Sequence, residues 1–443
     1  MRSNSIDTVF EVHLRHEPGT LAQVAVAIAE KKGLLCEIET IRILDEYTHR
    51  EITIETTSAE QITAIIASIE SITGARVIST RDRVMEAHQG GKLRVASRLP
   101  LKTSRDLRTI YTPGVAQVVR AIQTDPSFAW THTWRGRSVG IFTDGSRVLG
   151  LGDVGPLASL PVMEGKAVLY AEFAELNAVP IVLAVNGPQE FVECVVRTSP
   201  GFAGIHLEDI RSPDCFAIEA QLRERLHKPV FHDDQHGTAT AVVAALINAA
   251  RAVGLALSFA RIGVIGLGAA GTAIASLVGR YGVGQVLACD PNAEARARVA
   301  ATGACIVDLE TLLAQAHVVI AATGHSGLIK PEQIRAGQIV FALSNPGPEI
   351  EPKAALAAGA ALASDGRAIN NALAFPALMR AAIETRTRAI TSEMMIVAAQ
   401  AISDHAEAGA LVPSPLDPDL HEAITDAVTR SVVDAGAANT AKP

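Results

Sequence analysis

Aromatic side chains are scarce in this chain, at 4% of its 443 residues. Large rings cannot fill such a core, so Ala, Val, Leu and Ile must. That usage is expected of an α/β protein whose parallel strands are buried on both faces. Cysteine is sparse as well: Cys36, Cys194, Cys215, Cys289 and Cys305 are odd in number and form no C-x-x-C pair. This argues against a disulfide-stapled scaffold and for reduced, structural thiols in a cytoplasmic protein. Basic clusters are missing too. With a net charge of −8 and scattered Lys and Arg, nucleic acid is not an expected partner. The opening MRSNSIDTVF lacks the apolar segment of a secretion signal. The longest apolar run, TATAVVAALINAARAVGLAL, is broken by Asn248 and Arg251 and reads as a buried helix, not a membrane span. The length implies two or three domains.

What is present centres on two acidic pairs. Glu208 and Asp209 follow the apolar run FAGIHL, and Asp233 and Asp234 follow PVFH. Each pair sits where a strand hands over to a loop, which is where open α/β sheets hold their ligands. Three or four carboxylates in one cleft suit a hard divalent cation, Mg²⁺ or Mn²⁺. Upstream, Phe142–Ala174 is rich in glycine (Gly145, Gly150, Gly152, Gly155) and carries Arg147, whose planar fork suits a carboxylate. Lys166 follows Gly165 and is expected to open an apolar helix, AVLYAEFA. Tyr111 precedes a Thr112-Pro113-Gly114 turn.

Downstream, FARIGVIGLGAAGTAIASLVGRYG reads as strand, glycine turn and helix. Gly266, Gly268 and Gly271, with Ala269 and Ala270 between the last two, form G-x-G-x-x-G, a dinucleotide fingerprint. VGQVLACD is a second strand ending at Asp290. A carboxylate there accepts from a ribose 2′-hydroxyl and repels a 2′-phosphate, which favours NAD over NADP. HVVIAATG places Ala322, Thr323 and Gly324 at another strand end, close to the cofactor. Ser344-Asn345-Pro346 ends a further strand, and Asn370 and Asn371 precede a helix.

Residues 7–86 read as a βαββαβ unit, with strands DTVFEVHLR, LLCEIETIRIL, HREITIETT and ARVISTRDRVME around two amphipathic helices. Through the turn HEPGTLAQVAVAI this unit resembles the ACT domain, a module that usually binds a small effector. A plain dimerisation role is the alternative. HQGGK is a short connector, and the tail GAANTAKP is expected to fray.

YTPGVA, DGSRVLGLGDVG, MEGKAVLY, LEDI and HDDQHGTA, in this order, resemble the malic enzyme family from about residue 95 to about 430. The resemblance implies oxidative decarboxylation of L-malate to pyruvate and CO₂, with NAD or NADP and a divalent cation. It implies Lys166 as general base, Tyr111 as general acid, and Asp233 as the partner of Lys166. Glu208, Asp209 and Asp234 would hold the metal. Arg147, Asn345 and one of Asn370 and Asn371 would bind malate, and Asn345 would also lie near the nicotinamide. His206 stands where many bacterial relatives have Asn, and it is expected to matter little. The fold expected is α/β: an ACT-like domain over 1–87, a substrate and metal domain over 93–236, a Rossmann-type NAD(P)-binding domain over 237–390, and C-terminal helices over 391–443. These helices would pack back on the substrate domain or serve a homodimer or larger homo-oligomer. Two other readings stand beside this one: an effector-regulated dehydrogenase of another hydroxy or amino acid, which would not need the carboxylate cluster, and a non-catalytic nucleotide sensor.

Overall fold

The computed structural model describes residues 6–438 apart from Leu149 and Pro346, so the expected fraying of the tail falls largely outside the described residues. The chain divides into two compact units at Lys92/Leu93.

In the first unit, strands Ile6–Arg15, Leu34–Ile43, Tyr47–Thr56 and Ala75–Asp82 alternate with helices Thr20–Glu30 and Ala59–Glu70 in the order βαββαβ. The strands pair antiparallel, in the spatial order second, third, first, fourth. Phe10, Val12 and Leu14 alternate onto one face, where they meet Val24 and Ile28 of one helix and Ile65 and Ile69 of the other. Gly19, at φ +95°, supplies the left-handed turn between strand and helix.

The second unit holds two parallel sheets. In the smaller, Ser138–Thr143 lies between Asn177–Val182 and Gly204–Leu207, and Val230–His232 closes the far edge. In the larger, six strands follow the order three, two, one, four, five, six, counted from Arg261–Ile265. This is the doubly wound dinucleotide-binding topology, whose crevice opens between its first and fourth strands, Arg261–Ile265 and Val318–Ala321. The central strands of both sheets are buried mainly among Val, Ile, Leu and Ala, and some of the few aromatics lie in the sheets too, with Phe142, Phe231 and Phe341 fully buried.

One helix, Asp233–Val253, joins the sheets. It starts on the residue after the last strand of the smaller sheet, and two carboxylates stand in its first turn, where the helix dipole favours negative charge. It ends at Gly254 in the left-handed conformation. Its Ala-rich body is buried from Ala239 to Ala250. It runs on through the boundary expected at 236/237, so a cut there falls inside continuous helix. The C-terminal helices Ser392–His405 and Leu420–Asp434 belong to the same core as this helix and as Gly155–Ala174. No helix among the described residues is long and apolar enough to cross a membrane.

Gly271 fixes the approach of helix Ala269–Tyr281 to its strand, because a Cβ there would fall on the Gly266 carbonyl oxygen. Gly271→Ala should therefore destabilise the protein by roughly 1–3 kcal/mol, as overpacking does. A thermal melt of the cofactor-free chain would read this as a lowered midpoint. An unchanged midpoint would show that the loop yields freely.

Candidate active site

The loops at the carboxyl ends of the smaller sheet build one cleft. After Thr143 the chain turns at Gly145, φ +68°, whose N–H donates to the Thr143 hydroxyl. A Cβ on Gly145 would meet the Gly155 carbonyl, because the glycine-rich segment folds back so that the Val154 and Gly155 N–H groups donate to the Gly145 carbonyl. The Arg147 N–H donates to the Asp209 carbonyl at 3.0 Å, which ties the arginine loop to the acidic loop.

Lys166 does not open a helix. The helix begins at Gly155 and runs to Ala174, so Lys166 lies in its middle, 8% exposed. Pro156 takes the first turn, where its missing N–H costs nothing, and Pro161 forgoes one backbone bond without ending the helix. The Lys166 ammonium donates a short hydrogen bond to Asp233 and lies 3.2 Å from Glu208 Oε1 and 4.7 Å from the centre of the Phe375 ring. Burial opposes its charge, but Asp233 and Glu208 together outweigh burial and hold its pKa above the ordinary lysine value. Burial pushes Asp233 up to about 6 and Glu208 up to about 8, against the pull of Lys166.

Glu208, Asp209 and Asp234 each offer a carboxylate oxygen, and these oxygens lie within 4.8 Å of one another. Asp209 holds φ +53°, a left-handed conformation uncommon outside glycine, and strain of this kind gathers at functional sites. Its N–H donates to Asp234 Oδ2 at 2.9 Å. An all-oxygen set carrying three carboxylates fits Mg²⁺ or Mn²⁺ and not a soft metal.

His206, expected to matter little, sits against Glu208 and Tyr170. The ring is fully buried. One ring nitrogen, Nε2, is 2.6 Å from Glu208 Oε2, and the other, Nδ1, is 2.8 Å from the Tyr170 hydroxyl. Burial lowers its pKa to about 4, so the ring is neutral. The local signal was strand alternation: residues 206 and 208 share a face.

On the cofactor side, Gly266 at φ +85° leaves no room for a side chain, since a Cβ would lie 2.6 Å from the Ala322 carbonyl oxygen. Gly268 caps the helix Ala269–Tyr281, and a Cβ there would meet no atom within 4 Å, so a ligand can approach its backbone. These glycines form a cradle that a Cβ would fill, which fits a dinucleotide. Asp290 ends up beside them: Oδ2 accepts from the Leu267 N–H and Oδ1 from the Asn292 N–H, both at 2.7 Å. Fully buried Glu349, which sequence reading missed, accepts from the Thr323 N–H and hydroxyl and from the Ser344 N–H and hydroxyl. It locks together the loops that carry Ala322, Thr323 and exposed Asn345. No local pattern marks it, since its partners lie 5 and 26 residues away. Arg147 Nη2 would lie 3.6 Å from a Cβ on Gly324, so the two sheets' loops meet.

Two placements differ in kind from the rest. The Asn370 side chain is spent on its own turn, accepting from the Ala372 N–H, while Asn371 packs beside Gly237 in the first turn of the Asp233 helix. Tyr111 is 66% exposed at the end of helix Ser104–Ile110 and is not among the partners of Lys166, Glu208 or Asp233.

Known families match this arrangement. Residues 90–223 match the malic enzyme N-terminal domain, and 233–327 match the NAD binding domain of D-isomer specific 2-hydroxyacid dehydrogenases. NAD-dependent malic enzyme 1 of Bacillus subtilis is 44% identical over 420 residues, covering 94% of this chain and 96% of that protein. NAD-dependent malic enzyme of Geobacillus stearothermophilus is 36% identical over 445 residues, covering 95% and 93%. The crystal structure of malic enzyme from Pyrococcus horikoshii superposes with a TM-score of 0.76 at 36% identity, over 81% of this chain and 92% of that one. The chain therefore belongs to the malic enzyme family.

Proposed function

We propose that the cleft at Lys166 oxidises and decarboxylates L-malate to pyruvate and CO₂, with NAD as the favoured hydride acceptor. The observation that carries this reading is the Lys166–Asp233 pair set directly against the oxygens of Glu208, Asp209 and Asp234.

The three carboxylates would hold Mg²⁺ or Mn²⁺. The loop Gly266, Gly268, Ala269, Ala270, Gly271 would cradle the pyrophosphate, Asp290 would meet the ribose, and Ala322, Thr323 and Asn345 would line the nicotinamide side. When bound, the cation draws electron density from the malate C2 oxygen and the nicotinamide accepts the C2 hydride. Lys166 takes the hydroxyl proton. Lys166, buried and repelled by a cation held in these carboxylates, would shift toward the neutral amine. Asp233 orients that amine. The C2 ketone lets the C4 carboxylate leave as CO₂, and C3 of the resulting enolate takes a proton, a role the family resemblance assigns to Tyr111, which stands 66% exposed in this structure. Arg147 pairs with a malate carboxylate, and Asn345 and Asn371, rather than Asn370, hydrogen-bond the substrate. NAD and NADP reduction by L-malate, with and without Mn²⁺, tests this. The reading fails if turnover is independent of the cation.

The first unit supplies none of these groups. Our reading is an ACT-like regulatory domain taking a small metabolite at the Glu17-Pro18-Gly19 turn or between paired units of a homo-oligomer. The B. subtilis relative supports its being integral, since a match over 94% of the chain includes most of it.

Lys166→Ala should lower kcat by roughly 10²–10⁴, the range for loss of a positioned acid–base group, while malate still binds. Near-normal kcat would remove Lys166 from the chemistry. Asp234→Ala should abolish cation-dependent turnover and leave NADH binding intact, read by fluorescence titration. Activity retained at ordinary Mn²⁺ concentrations would mean that the cation sits elsewhere. Deleting residues 1–87 should leave a cation-dependent enzyme that no longer responds to metabolites which alter the full chain, the usual coupling being about 1–3 kcal/mol. Unchanged responses would move the control site to the second unit.

A further inference from the structure

Glu208 has two carboxylate oxygens, and the fold treats them differently. Oε1 faces Lys166 at 3.2 Å, and Oε2 faces His206 Nε2 at 2.6 Å. The two partners differ in what else they can do. Lys166 retains Asp233 if Oε1 is claimed by another group. Among the described residues Glu208 is the one hydrogen-bond partner of His206 Nε2, and the Tyr170 hydroxyl, at 2.8 Å, is that of Nδ1. A cation-bound Glu208 would be ionised and could only accept, so Nε2 would carry the proton and Tyr170 would donate to Nδ1. The ring cannot swing away. It stands edge-on to Tyr170 and Phe375, with centroids 5.5 and 5.4 Å away and interplanar angles of 84° and 72°. Tyr170 lies one helical turn beyond Lys166 on the same buried face, so one helix supplies both the lysine and the hydroxyl that orients the imidazole.

We propose that His206 is a positioning residue for the cation: by holding Oε2 of Glu208, it leaves Oε1 as that residue's single metal-binding oxygen. This rests on the reading of Glu208, Asp209 and Asp234 as the metal site. A one-oxygen carboxylate suits Mg²⁺ and Mn²⁺, which demand compact octahedral shells. Ca²⁺ takes 6–8 oxygens and accepts two-oxygen carboxylates. The device thus selects the smaller ions as well as orienting the ligand. It sits outside the metal's own ligands, where such hydrogen bonds typically matter 10–100-fold for affinity.

The test measures metal binding directly, on the full-length chain without substrate. Mn²⁺ is followed by the electron paramagnetic resonance signal of the free ion, and Ca²⁺ by its displacement of Mn²⁺. His206→Phe fills the ring's space without either hydrogen bond. It should raise the Mn²⁺ Kd by roughly 10–100-fold and weaken Ca²⁺ far less, because a released Glu208 can chelate with both oxygens. His206→Gln, whose amide reaches about as far as Nε2 and donates, should restore Mn²⁺ binding most of the way. NADH binding, unchanged, reports that the chain is folded. If His206→Phe loses NADH binding, His206→Leu replaces it: it is smaller, offers Glu208 no hydrogen bond, and the same pattern is expected. Wild-type Mn²⁺ affinity in the folded variant overturns the proposal. So does an equal loss for Mn²⁺ and Ca²⁺, which a mere loosening of the site would give. Asp234→Ala separates this from the underlying reading: if it binds Mn²⁺ as tightly as the wild type, the metal site itself is misplaced.

Discussion

A positive charge held in a dry cleft between two carboxylates constrains most of this second unit. Lys166 is buried with Asp233 on one side and Glu208 on the other. An isolated charge at that depth would be very costly, and the cost falls only if both partners are placed closely. The lysine arrives on one helix, Asp233 on the first residue of another, and Glu208 at a strand end. Three elements must therefore converge within hydrogen-bonding reach. Gly237 belongs to the same constraint. A side chain there would strike Asp233 Oδ1 and press on Asn371, so glycine leaves the carboxylate free to face the lysine. The Phe375 ring closes the pocket beneath the ammonium and beside His206.

The two sheets share the remaining work. The smaller sheet presents acids and the arginine loop, and the larger one presents glycines and the loops after its fourth and fifth strands. Glu349 gives those two loops a common buried anchor, and Arg147 reaches toward Gly324 from the other side. A reaction that moves a hydride from substrate to cofactor needs such a junction, because both reactants must be held close together. The helix Asp233–Val253 makes the junction rigid by starting in one site and running into the core of both sheets.

The sequence made some of this legible and hid the rest for physical reasons. Acidic pairs after apolar runs, glycines at G-x-G-x-x-G spacing and the βαββαβ alternation are local signals, and each maps to a local structure. The parallel sense of the larger sheet follows from its strand–helix alternation, while its strand order needed the structure. His206 was visible only as a histidine in a buried strand; its weight depends on Tyr170, 36 residues earlier. The start of the Lys166 helix was obscured because Pro161 and Gly165 resemble breaks, yet tertiary burial of one face outweighs their propensity. The choice between Asn370 and Asn371 needed the turn geometry that commits one side chain to its own backbone. For Tyr111 the sequence supplied a motif, and its exposed place on the chain is not one that spacing could reveal.

On the proposed reading, one cleft performs oxidation and carbon–carbon cleavage on the same molecule with the help of a cation. L-malate labelled with deuterium at C2 and ¹³C at C4 tests it in a single incubation with NAD and Mn²⁺. The account predicts deuterium in the reduced nicotinamide, ¹³C in released CO₂ and unlabelled pyruvate, in equal amounts, and none of the three when the cation is chelated. Deuterium transfer that leaves the four-carbon skeleton intact, or that proceeds without the cation, would contradict it.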